Sequence, residues 1–249
     1  MSTERKDDFI MNQFFPINKS FIEEIQDSMN LTKDDIRKDY EELTQNENFH
    51  NGLPGLTWDI RFSKIQQIAI EHNLTFIRMD RGIWKAPLVF DEHDKILYVF
   101  TSTQNLEEVI KKIENGNRTH YLYLITLNCP EGEEQLELIQ DEDDNTYRLR
   151  EAKKILDDLI DKVKNVVVVH YSYSKNAALD GTLSIMDDTA HIKESIKIKT
   201  FLNSNGNNNN DYHTEQKQYN NTSDNDIQNK PVIIWNSEKK KKTEKKRND

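Results

Sequence analysis

The spacing of apolar residues changes period twice along this chain, and each change marks a change of element. From residue 20 to about 70 they recur every three or four positions, the spacing of a helix with one buried face. Ser20 and Glu23 stand as a Ser-x-x-Glu capping box ahead of Phe21, Ile22 and Ile25. Thr32 heads a second helix with Ile36, Tyr40 and Leu43 on one side. The glycine- and proline-containing stretch 51–57 interrupts the pattern. Asp59 is placed to cap a third helix carrying Phe62, Ile65, Ile68 and Ala69.

The period then drops to two. Residues 74–79, 83–90 and 95–101 predict three strands, joined through Asp80-Arg81-Gly82 and through 91–94. Connections this short force an antiparallel meander. Pro87 has no amide to donate, so its part of the middle strand is expected at an edge or bulge.

Helix and strand alternate afterwards. Asn105 is read as the cap of a helix with Leu106, Val109, Ile110 and Ile113, closed by Asn115-Gly116. Residues 121–127 are apolar on both faces and predict a central strand. A further strand is expected at 135–140, and the longest helix at 148–163. Val166 to Tyr171 reads as a fully buried strand, followed by strands at 182–186 and 192–200. The expected fold is α/β (α+β), a mixed sheet with an antiparallel meander and flanking helices. The expected organisation is N-terminal helices over 1–50, a mixed α/β domain over 51–202 and a disordered tail over 203–249.

Composition explains the last boundary. Residues 203–229 hold ten Asn and three apolar residues, Tyr212, Tyr219 and Ile227. Such a stretch buries too little to offset backbone ordering, about 1–2 kcal/mol per residue. Charge breaks at the same point: residues 1–202 carry 25 basic and 37 acidic side chains, the remainder nine and seven. An acidic body repels phosphate backbones, which disfavours nucleic-acid binding by the body as a whole and leaves open local basic patches and the C-terminal lysine cluster. Within the tail, Val232, Ile233, Ile234 and Trp235 form an apolar island, read equally as a strand to add to a sheet edge or as a chance patch in a frayed, solubilising tail. One cysteine, Cys129, excludes internal disulfides and multi-cysteine zinc sites and fits a reducing, cytoplasmic compartment. No stretch is apolar enough for a signal peptide or a membrane span.

Candidate chemistry is sparse. The segment 56–62 and residues 78–85 together bring Trp58, Asp59, Arg61, Arg78, Arg81 and Trp84. If helix and hairpin pack together, Trp58, Arg61, Arg81 and Trp84 meet at one rim, as arginine on an aromatic face does in recognition sites. The bland alternative is a helix cap, core tryptophans and locally paired arginines. His170 ends a buried strand beside Tyr171, Ser172 and Tyr173, where α/β sheets bind ligands, or it is simply hydrogen-bonded at the sheet rim.

Asp141, Asp143 and Asn145 start like a calcium loop, but Thr146 replaces the turn glycine and Ala152 the bidentate glutamate, so a solvated turn is expected. The seven histidines have no metal-binding spacing, and no glycine-rich phosphate loop is present. Cys129 faces an acidic run that raises a thiol's pKa. No metal, cofactor or catalytic residue is assigned.

The phrases GLPGLTWDIRFSKI (52–65) and RGIWKAPLVFD (81–91) resemble those of an uncharacterised domain family from low-GC Gram-positive bacteria and their mobile elements. The resemblance spans residues 10–200 and leaves out the tail. It implies a bacterial, cytoplasmic setting and lends no catalytic residues. The function expected is a non-enzymatic interaction protein or regulator that binds a host protein. The alternatives are a metal-dependent nuclease-like enzyme using carboxylates near Asp59, Asp80 or Asp91, and a nucleic-acid-binding regulator.

Overall fold

The structure is a computed structural model that describes residues 16–45, 48–81, 84–132, 142–174 and 177–203, without the side chains of Arg81, Trp84, Glu142 and Asp143. The chain divides into two units, Met1–Gly206 and Asn207–Asp249. All described residues belong to the first. The strand expected at 135–140 and the motif Val232–Trp235 lie outside them.

Three helices open the described chain: α1 (Lys19–Asn30), α2 (Lys33–Thr44) and α3 (Leu53–Glu71). The cap of α1 is Asn18, two residues before the expected box. Its side-chain oxygen accepts from the Phe21 amide at 3.0 Å, and the Ser20 hydroxyl donates to the same oxygen. Thr32 heads α2 as expected, with the Asp35 carboxylate accepting from both its amide and its hydroxyl. Helix α3 departs from expectation. It begins before Asp59, straight through the supposed breaker, with Gly52 as N-cap and Pro54 in the first turn. A proline there removes only an amide that has no helical acceptor anyway.

The meander follows as β1 (Thr75–Arg81), β2 (Trp84–Asp91) and β3 (Ile96–Ser102). Pro87 pairs with β1 alone, because the β2–β3 ladder starts at Leu88, so it occupies an edge. The crossover from β3 runs through α4 (Thr103–Glu114), α5 (Tyr121–Ile125), α6 (Glu142–Leu156) and a 3-10 turn (Asp157–Asp161). Ser102, not Asn105, caps α4, accepting from the Asn105 amide. Residues 121–125 are helix where a central strand was expected. His120 Nδ1 caps the Leu122 amide, and Leu122 to Ile125 are all buried. A short segment apolar on every side has the same pattern in either conformation. The helix expected at 148–163 starts six residues earlier, and the left-handed backbone of Asp157 (φ 51) ends it. The supposed turn around Asn145 is therefore helical.

The crossover returns as β4 (Asn165–Tyr173), parallel to β3, and then β5 (Ala178–Met186), β6 (Ile192–Lys197) and α7 (Ile198–Asn203) follow. The sheet order is β1-β2-β3-β4-β5-β6, with β3–β4 parallel and the rest antiparallel. Helices cover both faces. Val166 and Val168 join the crossover helices in one core, while Val167 and Val169 join α1, α3 and α7 in the other. Each such valine contributes about 1.5–3 kcal/mol by full burial.

Candidate functional site

Three places in the fold can be weighed as sites, two of them near the carboxyl end of β4 and built around expected residues. The first centres on Arg61, which is 4% exposed. Its guanidinium lies 4.4 Å from the Trp58 ring centroid and 4.1 Å from that of Tyr173. Nε and Nη2 both donate to the Leu31 carbonyl between α1 and α2, the first at 3.1 Å. The Tyr173 hydroxyl donates to the Met29 carbonyl at 2.9 Å. One buried cation thus ties the α1–α2 link to α3 and β4. Burial lowers its pKa and the neighbouring Tyr173 opposes that shift. Trp58 is half-buried, packed on Phe62 and edge-on to Tyr173.

The remaining members of that group are elsewhere. Arg78 is exposed on β1 and lies 3.9 Å from Asp80, which Lys85 also approaches at 3.7 Å. Arg81 and Trp84 face each other in the β1–β2 register, and their side chains lie outside the described ones. Asp59 is exposed on α3.

The second place is His170, 6% exposed. Its Nδ1 bonds the Thr103 hydroxyl at 2.9 Å and its Nε2 bonds Ser184 at 2.9 Å. Ser172 donates to Thr103, and Ser184 is 2.7 Å from Ser195, so hydroxyls continue the chain at both ends. One ring nitrogen donates and the other accepts, as a neutral imidazole must. Burial first, and Lys197 second, lower its pKa to about 4. Both nitrogens are occupied by hydroxyls, and no carboxylate among the described residues orients the ring. The arrangement joins β4, β5 and β6 to the start of α4.

The third place is the outward face of α3. Leu53, Thr57, Arg61, Ile65 and Ala69 are its buried stripe. Leu56 and Ile60, with Asp59, Ser63, Lys64 and Gln67, line a shallow groove of about 330 Å³ on the other side. Ile70, 61% exposed, continues that line. The spacing 56, 60, 63, 67, 70 sets Leu56, Ile60 and Ile70 with Ser63 and Gln67 on one side of the helix. A helix starting at Asp59 would leave Leu56 outside this line, and the actual start at Leu53 brings it in.

The carboxylates of the nuclease alternative are separately engaged. Asp91 accepts from the amides of His93 and Asp94 in the β2–β3 turn, and Asp80 has the basic neighbours named above. Among the described residues no three His, Cys, Asp or Glu side chains are grouped to hold a metal ion. No described helix is long and apolar enough to cross a membrane. The Cys129 thiol is buried, and burial above all, with Asp187 and Asp188 adding to it, pushes its pKa up to about 12. Arg148, read from sequence only as a helix start, is a second buried cation. It stacks 4.0 Å from the Tyr123 ring centroid and donates to the Tyr123 and Asp188 carbonyls.

Residues 14–249 match the model of a family of unknown function (DUF5986). The match includes the tail that the phrase resemblance left out. No curated protein and no solved structure matches the chain. The chain belongs to this family of unknown function.

Proposed function

We propose that this DUF5986 member is a binding protein that docks a protein partner on the outward face of α3. The three most exposed large apolar residues among those described are Leu43 in α2, Phe49 in the α2–α3 connection and Ile70 in α3. Of these, Ile70 joins Leu56 and Ile60 in giving α3 apolar residues on a side away from its buried stripe, and a helix apolar on two sides is normally covered on both. The sheet covers one. An amphipathic helix of a partner fits the other, with Asp59 and Lys64 of the groove lining setting its register.

The resemblance of residues 52–65 and 81–91 to a low-GC Gram-positive family supports a bacterial cytoplasmic setting, in which the partner is a host protein. Trp58 contributes from the rim of the buried face. Arg61 contributes indirectly, by fixing α3 against the α1–α2 link.

The test is capture from a bacterial lysate with the full chain, alongside an Ile60→Glu/Ile70→Glu variant and Arg78→Ala as control. The expected result is a discrete partner retained by wild type and Arg78→Ala, and lost or bound at least about tenfold more weakly by the double variant. Equal capture by all three overturns the α3 surface.

A further inference from the structure

We propose that two copies of this chain pair through the β1 edge, antiparallel about a two-fold axis at Met79, so that the sheet continues from one copy into the other. The sheet runs from β1 to β6, and among the described residues no strand pairs with the outer side of either. Unpaired amides and carbonyls along an edge are a template for another strand, and natural proteins blunt the edges they leave open. No residue of β1 lines the α3 groove, so the two surfaces are independent.

The two edges are defended differently. The pairing of β6 with β5 shifts register between Ile185 and Met186, and β6 carries Lys193, Glu194 and Lys197. Self-pairing about a two-fold axis joins odd positions to odd and even to even, because the outward backbone groups alternate along a strand. For β6 the two registers of five residues then set Glu194 on its own copy, or Lys193 on Lys197 of the second copy, twice. Like charges directly opposite each other resist pairing. Strand β1 has none of these devices. Its seven residues pair with β2 without a shift, and none is proline or lysine.

Charge selects the register at β1. Centring on Met79 sets Arg78 opposite Asp80 of the second copy, twice over. Centring on Arg78 or on Asp80 sets like charges on the axis, and centring on Ile77 matches no opposite charges. The side chains of Arg78 and Asp80 are 54% and 64% exposed, and within one chain they approach only to 3.9 Å, so both can reach across. Apolar packing agrees on both faces. Phe76 is half-buried against the core under α1 and α3, and Ile77 against that of the crossover helices, so a second β1 extends both layers. The patch is thus complementary to itself, as a closed two-fold pair requires. A ladder of five residues on each side buries less than a permanent dimer does, so the dissociation constant is expected at about 10–100 μM.

The test is sedimentation equilibrium of the full chain from about 5 to 300 μM at about 0.15 M salt. The expected result is a monomer–dimer equilibrium in wild type. Arg78→Asp and Asp80→Arg each set like charges opposite one another and should weaken it at least about tenfold. Arg78→Asp/Asp80→Arg re-forms both pairs with the signs exchanged and should return to within about threefold of wild type. Both side chains are exposed, so melting temperatures near wild type will show intact folds. A wild type that stays monomeric over the whole range overturns the pairing. So does a dimer that the single variants leave unchanged, or a double variant that fails to recover.

Discussion

The Arg61 guanidinium sits 4.1 Å from the Tyr173 ring centroid while its nitrogens serve the Leu31 carbonyl, so a single side chain on α3 holds both the end of β4 and the α1–α2 link. No carboxylate among the described residues is bonded to it. Aromatic faces and one carbonyl stand in for a counter-ion, an arrangement that suits a guanidinium and not an ammonium.

Replacing Arg61 therefore acts on stability before it acts on anything else. Arg61→Ala is expected to cost about 2–4 kcal/mol, from one charged hydrogen-bond pair and desolvated stacking on two rings. Arg61→Lys, which keeps the charge but not the planar fork, should recover less than half. Urea denaturation midpoints measure both; a loss below about 0.5 kcal/mol for Arg61→Ala would show that the tie contributes nothing.

Local pattern announced the parts of this fold whose burial follows strand or helix period. Val166 to Val169 is apolar on both faces because both faces of the sheet are covered, and it reads directly as a central strand. Tyr121 to Ile125 has the same apolar density, and only the cap at His120 tells helix from strand. Leu56 and Ile60 were hidden because Pro54 and Gly55 look like breakers, although proline is tolerated in a first turn. Trp58 and Arg61, one turn apart on α3, are in contact; the expected rim also included Arg81 and Trp84, whose side chains lie outside the described ones. What turned Arg61 inward, Tyr173 on β4 and the Leu31 carbonyl, lies too far along the chain for any local pattern to show.

Gly181 lies too close to two side chains to gain one of its own. An added Cβ would collide with Tyr171 Cζ and lie 2.7 Å from both Tyr171 Cε2 and Ile198 Cδ1. Gly181→Ala is expected to destabilise by about 1–3 kcal/mol through overpacking. In a Tyr171→Val background the same change should cost little, a coupling of about 1 kcal/mol or more in a double-mutant cycle. Additive losses would place the strain elsewhere.

Cys129 is expected to be chemically silent in the folded protein. Its pKa of about 12 leaves almost no thiolate at pH 8, and its side chain is buried. Iodoacetamide at pH 8 should label it only in denaturant, with mass spectrometry giving the extent. Rapid labelling of the native chain would contradict both the burial and the raised pKa.

His170 makes stability depend on pH in a definite direction. Its folded pKa is about 4, against about 6.5 for an unfolded histidine. The unfolded chain therefore binds the proton more readily, and stability falls as acid is added. The contribution is complete above about pH 6.5 and declines by about 1.4 kcal/mol per pH unit down to about pH 4, some 3 kcal/mol in all. Carboxylates titrate over the lower part of that range in any variant, so the readout is a difference. His170→Gln keeps polar atoms near Thr103 and Ser184 but cannot titrate. Its urea-derived stability should be lower than wild type at pH 7 and should converge on it, or exceed it, by pH 4.5. Parallel profiles for the two proteins would mean that the imidazole is already able to charge in the folded state, and that its hydroxyl partners are not the neutral chain described.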